Sequence, residues 1–558
     1  MHWIQAYSKA KVRDDLVAAI IVTVMLIPQS LAYAMLAGLP AEVGLYASIL
    51  PLIAYAVFGT SMTLAVGPVA VVSLMTATAV GAVTTPGTDN YLAATVLLAL
   101  MSGGFLMVLG FLRAGFMANL LSHPVISGFI SASAILIAAS QLKHLIGVPT
   151  SGHTLPQLIQ NLWQNLDQFS PATLVLGLLC LGFLAWVRSG LAPVLRRLGL
   201  SDSAADLLAK LGPMLAVILS TLAVYGWELD QQGIAIVGHI PAGLPMPSVP
   251  NIDWGLVTEL WPAAVLISLI GFVESVSVGH TLAAKRRERI QPNRELLGLG
   301  AANLASGLGG GFPVTGGFSR SVVNYDAGAR TPMAGVFTSV LIGITALFLT
   351  GLFTYLPKAV LAATVIVAVM SLVDLKSMRH VMQFSAGDSV AMFMTIGAVL
   401  VLGVEAGIIA GVLCSIVCLL SQVGRPHIAE LGNVTGTEHY RNIDRHEVDQ
   451  TPGVVALRFD ERLHFLNARL LEDQVSDVIG RPDVRHVVLH SGAINQIDAS
   501  GLETLEAIND RLQTAGIDFH LSEVKGPVLD RLQRSNFLSH LTGQVHLTHH
   551  HAMQALSA

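Results

Sequence analysis

The chain has 558 residues, 53% of them hydrophobic and only 12% charged, about half the charge of an ordinary soluble protein. A formal net charge of -5 offers no basic surface for nucleic acid, and three cysteines exclude a disulfide scaffold. The charge is also uneven: 37 of the 67 acidic and basic side chains lie in the first 424 residues and 30 in the last 134. That is ~9% against ~22%, the second being a soluble value. The division predicts a membrane domain over 1–424, a linker over 425–452 and a soluble domain over 453–558.

Before the boundary, about fourteen apolar runs recur, the longest of a length that crosses ~30 Å of hydrocarbon as helix. The clearest in chain order are Leu16 to Met35, Tyr91 to Leu112, Val125 to Leu142, Leu174 to Val187, Met214 to Tyr225 and Val257 to Gly279. Met333 to Leu352, Ala359 to Val373, Ser389 to Val404 and Ile408 to Leu420 follow. Shorter candidates lie at Gly44 to Phe58, Pro68 to Ala79, Leu296 to Leu308 and Phe318 to Asp326. Lys9, Lys11 and Arg13 precede the first span and predict a cytoplasmic N-terminus. With fourteen spans the even connections are cytoplasmic too, and there stand Arg188, Arg196 and Arg197, the Lys285–Arg289 cluster, Arg330, Lys376 and Arg379. The count also leaves the soluble domain in the cytoplasm.

Two segments interrupt this pattern. Leu64-Ala-Val-Gly-Pro-Val-Ala-Val and Gly309-Gly-Gly-Phe-Pro-Val-Thr-Gly-Gly-Phe-Ser-Arg-Ser each put Pro-Val after glycine and before a short apolar stretch. Pro68 and Pro313 lack an N–H and resist continuous helix. Irregular backbone at membrane depth is tolerated where it lines a cavity. The segments are third and tenth in order, matching members of two seven-span halves, which is the pointer to an inverted-repeat transporter site. A half-helix starting there aims free N–H groups and ~+0.5 elementary charge at an anion. Arg320 adds a full charge, its alternative role being an ion pair with an acid elsewhere. Thr315, Ser319 and Ser321 bring hydroxyl donors.

With Pro28-Gln-Ser-Leu-Ala-Tyr-Ala, Ala37-Gly-Leu-Pro and Gly44-Leu-Tyr in the first spans, these segments resemble the signatures of the SulP/SLC26 anion transporters. The resemblance covers nearly the whole chain. It implies a polytopic α-helical protein of 14 spans in a 7+7 inverted repeat with broken third and tenth helices. A mobile core and a static gate domain, a homodimer and an elevator-like movement come with it. By position, it puts the substrate pocket on Gln29 and Tyr33, one turn apart on one helix face, on Val69 and Ala70, and on Ser319 and Arg320. It places Glu274, within Leu269-Ile-Gly-Phe-Val-Glu-Ser-Val-Ser, next to that pocket. An ionised acid at a helix centre costs roughly 2.5–3.5 kcal/mol on insertion scales, and burial favours its neutral form. Glu274 therefore suits proton coupling, its alternative being a fixed partner for Arg320. Sodium fits less well, because Val278 stands one turn on, where sodium-coupled bicarbonate members carry a hydroxyl-bearing residue.

From Gly453 the pattern turns to alternating strands and helices. Val454 to Phe459, Val484 to His490 and Ile517 to Leu521 read as strands, and Ala468 to Ile479, Leu502 to Ala515 and Pro527 to Ser535 as helices. This is a small α/β domain with a mostly parallel sheet. Val487-Val-Leu-His-Ser-Gly-Ala-Ile-Asn-Gln-Ile-Asp-Ala-Ser-Gly-Leu resembles the STAS domain of sulfate transporters and anti-sigma-factor antagonists. Ser500 matches a phosphorylation site of the antagonist relatives, which would allow a cytoplasmic protein partner, though a plain helix-start role is favoured. His549, His550 and His551 read as a solvated tail rather than a metal site.

With no nucleophile–base pair, phosphate loop or metal-ligand set, neither an enzyme nor a bound cofactor or metal is expected. The expected function is secondary transport of a small oxyanion, sulfate foremost, by proton symport across the bilayer of a bacterial inner membrane. Bicarbonate or a dicarboxylate is the alternative substrate, and an anion sensor signalling through the tail is the alternative class.

Overall fold

The computed structural model describes residues 7–119, 122–150, 152–199, 201–202, 205, 208–209, 211–244 and 253–557. The chain forms two compact units, residues 1–415 and 416–558, so the division falls inside the helix Val404–Gly424.

The first unit is helical. Among the described residues eight helices are long and apolar enough to cross a membrane: Lys9–Leu36, Ala41–Phe58, Asp89–Phe111, His123–Ile146, Trp254–Arg286, Met333–Phe353, Lys358–Phe384 and, running across the division, Val404–Gly424. Shorter apolar helices span Ala70–Val83, Pro171–Trp186, Gly212–Gly226 and Ala386–Leu402. With Pro292–Leu308 and Phe318–Asp326, these sit where the sequence carries its fourteen apolar segments. Phe111, Leu179, Leu222, Phe348 and Leu413 point outward and are more than half exposed, an arrangement that lipid tolerates and water does not.

The first helix starts at a Ser8 cap and buries Asp15 completely. Asp15 accepts from the backbone N–H of Arg330 at 2.6 Å and of Thr331 at 3.0 Å, which ties the helix to the turn before Met333. It runs through Pro28, whose missing N–H removes one helical bond beside Gln29. The helices Asp89–Phe111 and Pro292–Leu308 pack at Gly103 and Gly300, where a Cβ on either would come within 3 Å of the other helix. Small residues at such crossings let two backbones approach without a hydrophobic drive between helices.

The two interrupted segments are short strands. β1 (Val66–Gly67) pairs antiparallel with β2 (Thr315–Gly316), Val66 opposite Gly316 and Gly67 opposite Thr315. Each strand leads within a few residues into a helix, Ala70–Val83 and Phe318–Asp326.

The second unit is an α/β domain. Its sheet has the order β4 (Tyr440–Asn442), β3 (Ile428–Asn433), β5 (Val454–Phe459), β6 (His486–His490), β7 (Asp518–Ser522) and β8 (Val545–His546), the last four parallel. Alternation puts Val455, Leu457, Val487, Leu489, Phe519 and Leu521 in a core beneath the helices Ala468–Ile479, Ala499–Thr514 and Gly526–Gln533. Val454, Ala456 and Val488 face a smaller core closed by Ala552 and Met553 of the helix His549–Ser557. Two expectations are corrected here. The stretch read as a linker carries β3 (Ile428–Asn433) and β4 (Tyr440–Asn442), because Ala429 and Leu431 bury against the smaller core. The histidine run opens a docked helix instead of a solvated tail. His549 is only 3% exposed, its Nδ1 is 2.9 Å from Ser522 Oγ, and its ring meets Tyr440 edge-on at 4.6 Å.

Candidate anion site

The β1–β2 pair brings the two helix starts together. Val69 and Gly317 are the N-cap positions, and neither supplies a side-chain acceptor to the first turn. The first N–H groups of both helices are therefore left for another acceptor.

Residues beneath the pair hold this irregular backbone. Asn303 donates to Val314 O and accepts from Val314 N–H, both at 2.9 Å. Thr315 donates to Gly271 O at 2.6 Å, and Ser275 Oγ accepts from Gly316 N–H at 2.9 Å. Ser321 accepts from Ala65 N–H at 3.0 Å, and Asn324 donates to Thr63 O at 3.0 Å. The hydroxyl of Thr315, expected as an anion donor, is thus spent on scaffold, Ser321 braces the backbone as an acceptor, and Asn303 braces the loop before β2. A buried backbone polar group must find a partner, and the nearest hydroxyls supply it.

One cavity of about 50 Å³ lies at the two helix starts. Since one water needs roughly 10–15 Å³ of such space, it suits a small ion. Gln29, Tyr33, Val69, Ala70, Glu274, Ser319 and Arg320 all line it, so the structure brings together every pocket residue named from the sequence. Val71, Gly317, Phe318, Ala368, Val369 and Leu372 complete the wall. The last three come from or just after the helix Lys358–Met370 and carry no polar signal by which sequence could mark them.

Arg320 is 2% exposed, and its Nη1 and Nη2 are both buried with no hydrogen-bond partner. The terminal nitrogens are not committed to Glu274, so a fixed ion pair does not account for them. Two glycines make room for the group. A Cβ at Gly67 would stand 2.5 Å from Nη1, and one at Gly317 would stand 2.6 Å from Nε. Glu274 reaches the cavity from the middle of the helix Trp254–Arg286. The arrangement is a positive, donor-rich pocket that also holds one carboxyl, a set suited to an oxyanion.

Ser500 lies in the other unit, in the first turn of Ala499–Thr514. The cap of that helix is Asp498, which accepts from Gly501 N–H at 2.8 Å and from Phe465 N–H at 3.1 Å.

Comparison with known proteins agrees with this architecture. Residues 12–395 match the sulfate permease family and residues 445–552 the STAS domain. The probable sulfate transporter 4.2 of Arabidopsis thaliana is 35% identical over 551 residues, 96% of this chain and 80% of that protein. A probable sulfate transporter of Mycobacterium tuberculosis is 32% identical over 546 residues, covering 97% and 94% of the two chains. Among solved structures, the murine anion transporter Slc26a9 in the inward-facing state superposes with a TM-score of 0.87 at 22% identity, covering 100% of this chain and 93% of that one. The transmembrane domain of a cyanobacterial bicarbonate transporter, BicA, gives 0.61 at 23% identity, over 74% and 98%. With this fold, these apolar helices and these matches, the chain is a multi-pass membrane protein that belongs to the sulfate permease family and carries a C-terminal STAS domain.

Proposed function

We propose that the protein is a secondary active transporter of a small oxyanion, sulfate foremost, coupled to protons through Glu274. The observation that carries this reading is the buried, unpartnered Arg320 guanidinium beside two uncapped helix starts. A desolvated cation of this kind is costly unless an anion repays it. Gln29, Tyr33 and Ser319 supply neutral donors, while the N–H groups after Val69 and Gly317 supply the field. Glu274 shares the cavity without pairing with Arg320's terminal nitrogens, so it is free to take up a proton with the anion and release it on the other side. The names of the relatives in Arabidopsis and Mycobacterium support sulfate.

The same reading has fourteen crossings in two inverted halves and an elevator-like movement of the β1–β2 core in a homodimer. It places the chain in a bacterial inner membrane with both termini cytoplasmic. The STAS domain would dock a cytoplasmic partner, with Ser500 as a phosphorylation switch at a helix N-terminus, where added negative charge changes a contact. Radiolabelled sulfate uptake into proteoliposomes, with bicarbonate, fumarate and chloride as competitors and with or without a pH gradient, tests it. Accumulation driven by an external acid pH and blocked first by unlabelled sulfate is the expected result. Binding without accumulation would make the protein an anion sensor.

A further inference from the structure

The first unit carries a second cluster of bases, away from the Arg320 cavity. Lys143 and His144 occupy the last turn of the helix His123–Ile146, and Lys358 opens the helix Lys358–Met370. Lys143 and His144 line a cavity of about 610 Å³ whose remaining wall includes Thr150, Asn161, Asn165 and Ala235. Lys358 is tied to that wall by its backbone N–H, which donates to Ala235 O at 2.9 Å. Its ammonium group lies close enough to repel both Lys143 and His144.

What these bases lack is an acid. Among the described residues no carboxylate lines the cavity, and the electrostatic neighbours of Lys143 and His144 are all bases. All three side chains are half-buried. A helix C-terminus draws cations, but its charge is only about -0.5, too little for two ammonium groups. Like charges held together in a partly desolvated pocket cost free energy unless an anion occupies it.

The position is also against the topological trend. The helix Asp89–Phe111 ends near Asn293, since Gly115 N–H donates to Asn293 Oδ1 at 2.7 Å, and Asn293 follows the basic Lys285–Arg289 segment. The chain then enters His123–Ile146, whose 24 residues carry it ~36 Å toward the opposite end of the unit. Basic residues gather on the cytoplasmic side of a membrane protein as a topology signal, and Lys143 and Lys358 stand at the other end, where that signal does not explain them.

We propose that Lys143, His144 and Lys358 form a second anion site, an outer capture station for a small divalent oxyanion ahead of the Arg320 cavity. The cluster raises the local concentration of the anion at the mouth, as charged clefts do for their ligands. This rests on the reading that the protein carries an oxyanion, but its binding test needs no transport. A phosphate group on a lipid presents the same tetrahedral oxyanion, so the test separates the two sources.

The experiment is equilibrium binding of radiolabelled sulfate to the full chain in neutral detergent, with Arg320→Gln removing the inner site. We expect Arg320→Gln to keep a weak sulfate site that fades with added salt. Adding Lys143→Gln and Lys358→Gln should reduce that binding at least tenfold, and Lys143→Arg with Lys358→Arg should restore it. With Arg320 intact, the double Gln chain should need several-fold more sulfate for half-maximal uptake, most visibly at low ionic strength. If Arg320→Gln removes all sulfate binding while the double Gln chain binds as the native chain does, the second site does not exist. If sulfate fails to bind in the Arg320→Gln background while added phosphatidylglycerol does bind, and the lysine changes remove it, the cluster is a lipid site and the capture role is overturned.

Discussion

Two parts of the helical unit bury carboxylates or a guanidinium, and they treat them in opposite ways. Glu295, at the start of the helix Pro292–Leu308, is fully buried. It accepts from Tyr55 OH at 2.6 Å, from the N–H groups of Thr60 and Ser61 at 2.8 and 3.2 Å, and from the Thr60 hydroxyl. Asp15 is held by Arg330 and Thr331 in the same manner. Arg320 is as deeply buried and has two nitrogens with no partner. Satisfied buried charge locks a fold, whereas unsatisfied buried charge awaits a ligand. On the proposed reading, the contrast separates structural from functional ionisable groups in a chain that has few of either inside the membrane.

Changes on each side of the contrast should behave differently. Glu295→Ala should have the largest effect, because it strands a phenol, two N–H groups and a hydroxyl at ~1–3 kcal/mol each. We expect loss of folded protein, read as a collapse of the monodisperse peak in size-exclusion chromatography. Arg320→Gln should do the reverse, leaving melting temperature equal or higher while uptake falls at least a hundredfold. If it destabilised the chain as Glu295→Ala does, Arg320 would belong with the structural group.

Gly67→Ala sharpens the same point from the neighbouring strand. Its Cβ would crowd Nη1, and overpacking costs ~1–3 kcal/mol, so sulfate binding by scintillation proximity should weaken about tenfold in a chain that still folds. Glu274→Gln should leave sulfate binding within a few-fold and abolish the response of uptake to a pH gradient. Unchanged pH dependence in proteoliposomes would remove the proton role from Glu274.

The smallest effect belongs to the STAS domain, which has its own cores. Burial, and then His490, His546 and His550, push the His549 imidazole down to about 3, and an unfolded histidine titrates near 6.5. The unfolded chain therefore binds the proton more readily. Stability is complete above about pH 6.5 and is lost as pH falls toward 3. The 425–558 fragment should melt at progressively lower temperature between pH 6.5 and 4, and His549→Phe should flatten part of that slope. Part of it should remain, since burial also pushes His520 down to about 4.

Much of the site was legible in the sequence because it is built at two interruptions of an otherwise apolar pattern. Pro68, Pro313 and the glycines around them disrupt helix locally, and such disruption is visible without knowing what packs against it. Arg320 and Glu274 stood out as charges inside apolar surroundings. Glu295 and Asp15 did not, since each sits near a helix end, where a carboxylate reads as solvated until its donors are seen. Ala368, Val369 and Leu372 were invisible for the opposite reason, being apolar residues in an apolar helix whose role depends only on what they face. Thr315 could be recognised as a hydroxyl near the site but not as already occupied, because its partner, Gly271, is distant in sequence. In the tail, β3 and β4 were hidden by polar residues on their open face, and the docking of His549 depends on Ser522 and Tyr440, on two other strands.

The central claim is that an oxyanion is held at the paired helix starts by Arg320 and carried with a proton. Its most direct test is time-resolved sulfate uptake into proteoliposomes held acidic outside and alkaline inside, comparing the native chain with Arg320→Gln at equal reconstitution. We expect the native chain to accumulate sulfate above the external concentration until a protonophore collapses the gradient, and Arg320→Gln to remain at the protein-free level. Equal accumulation by both chains would contradict the account.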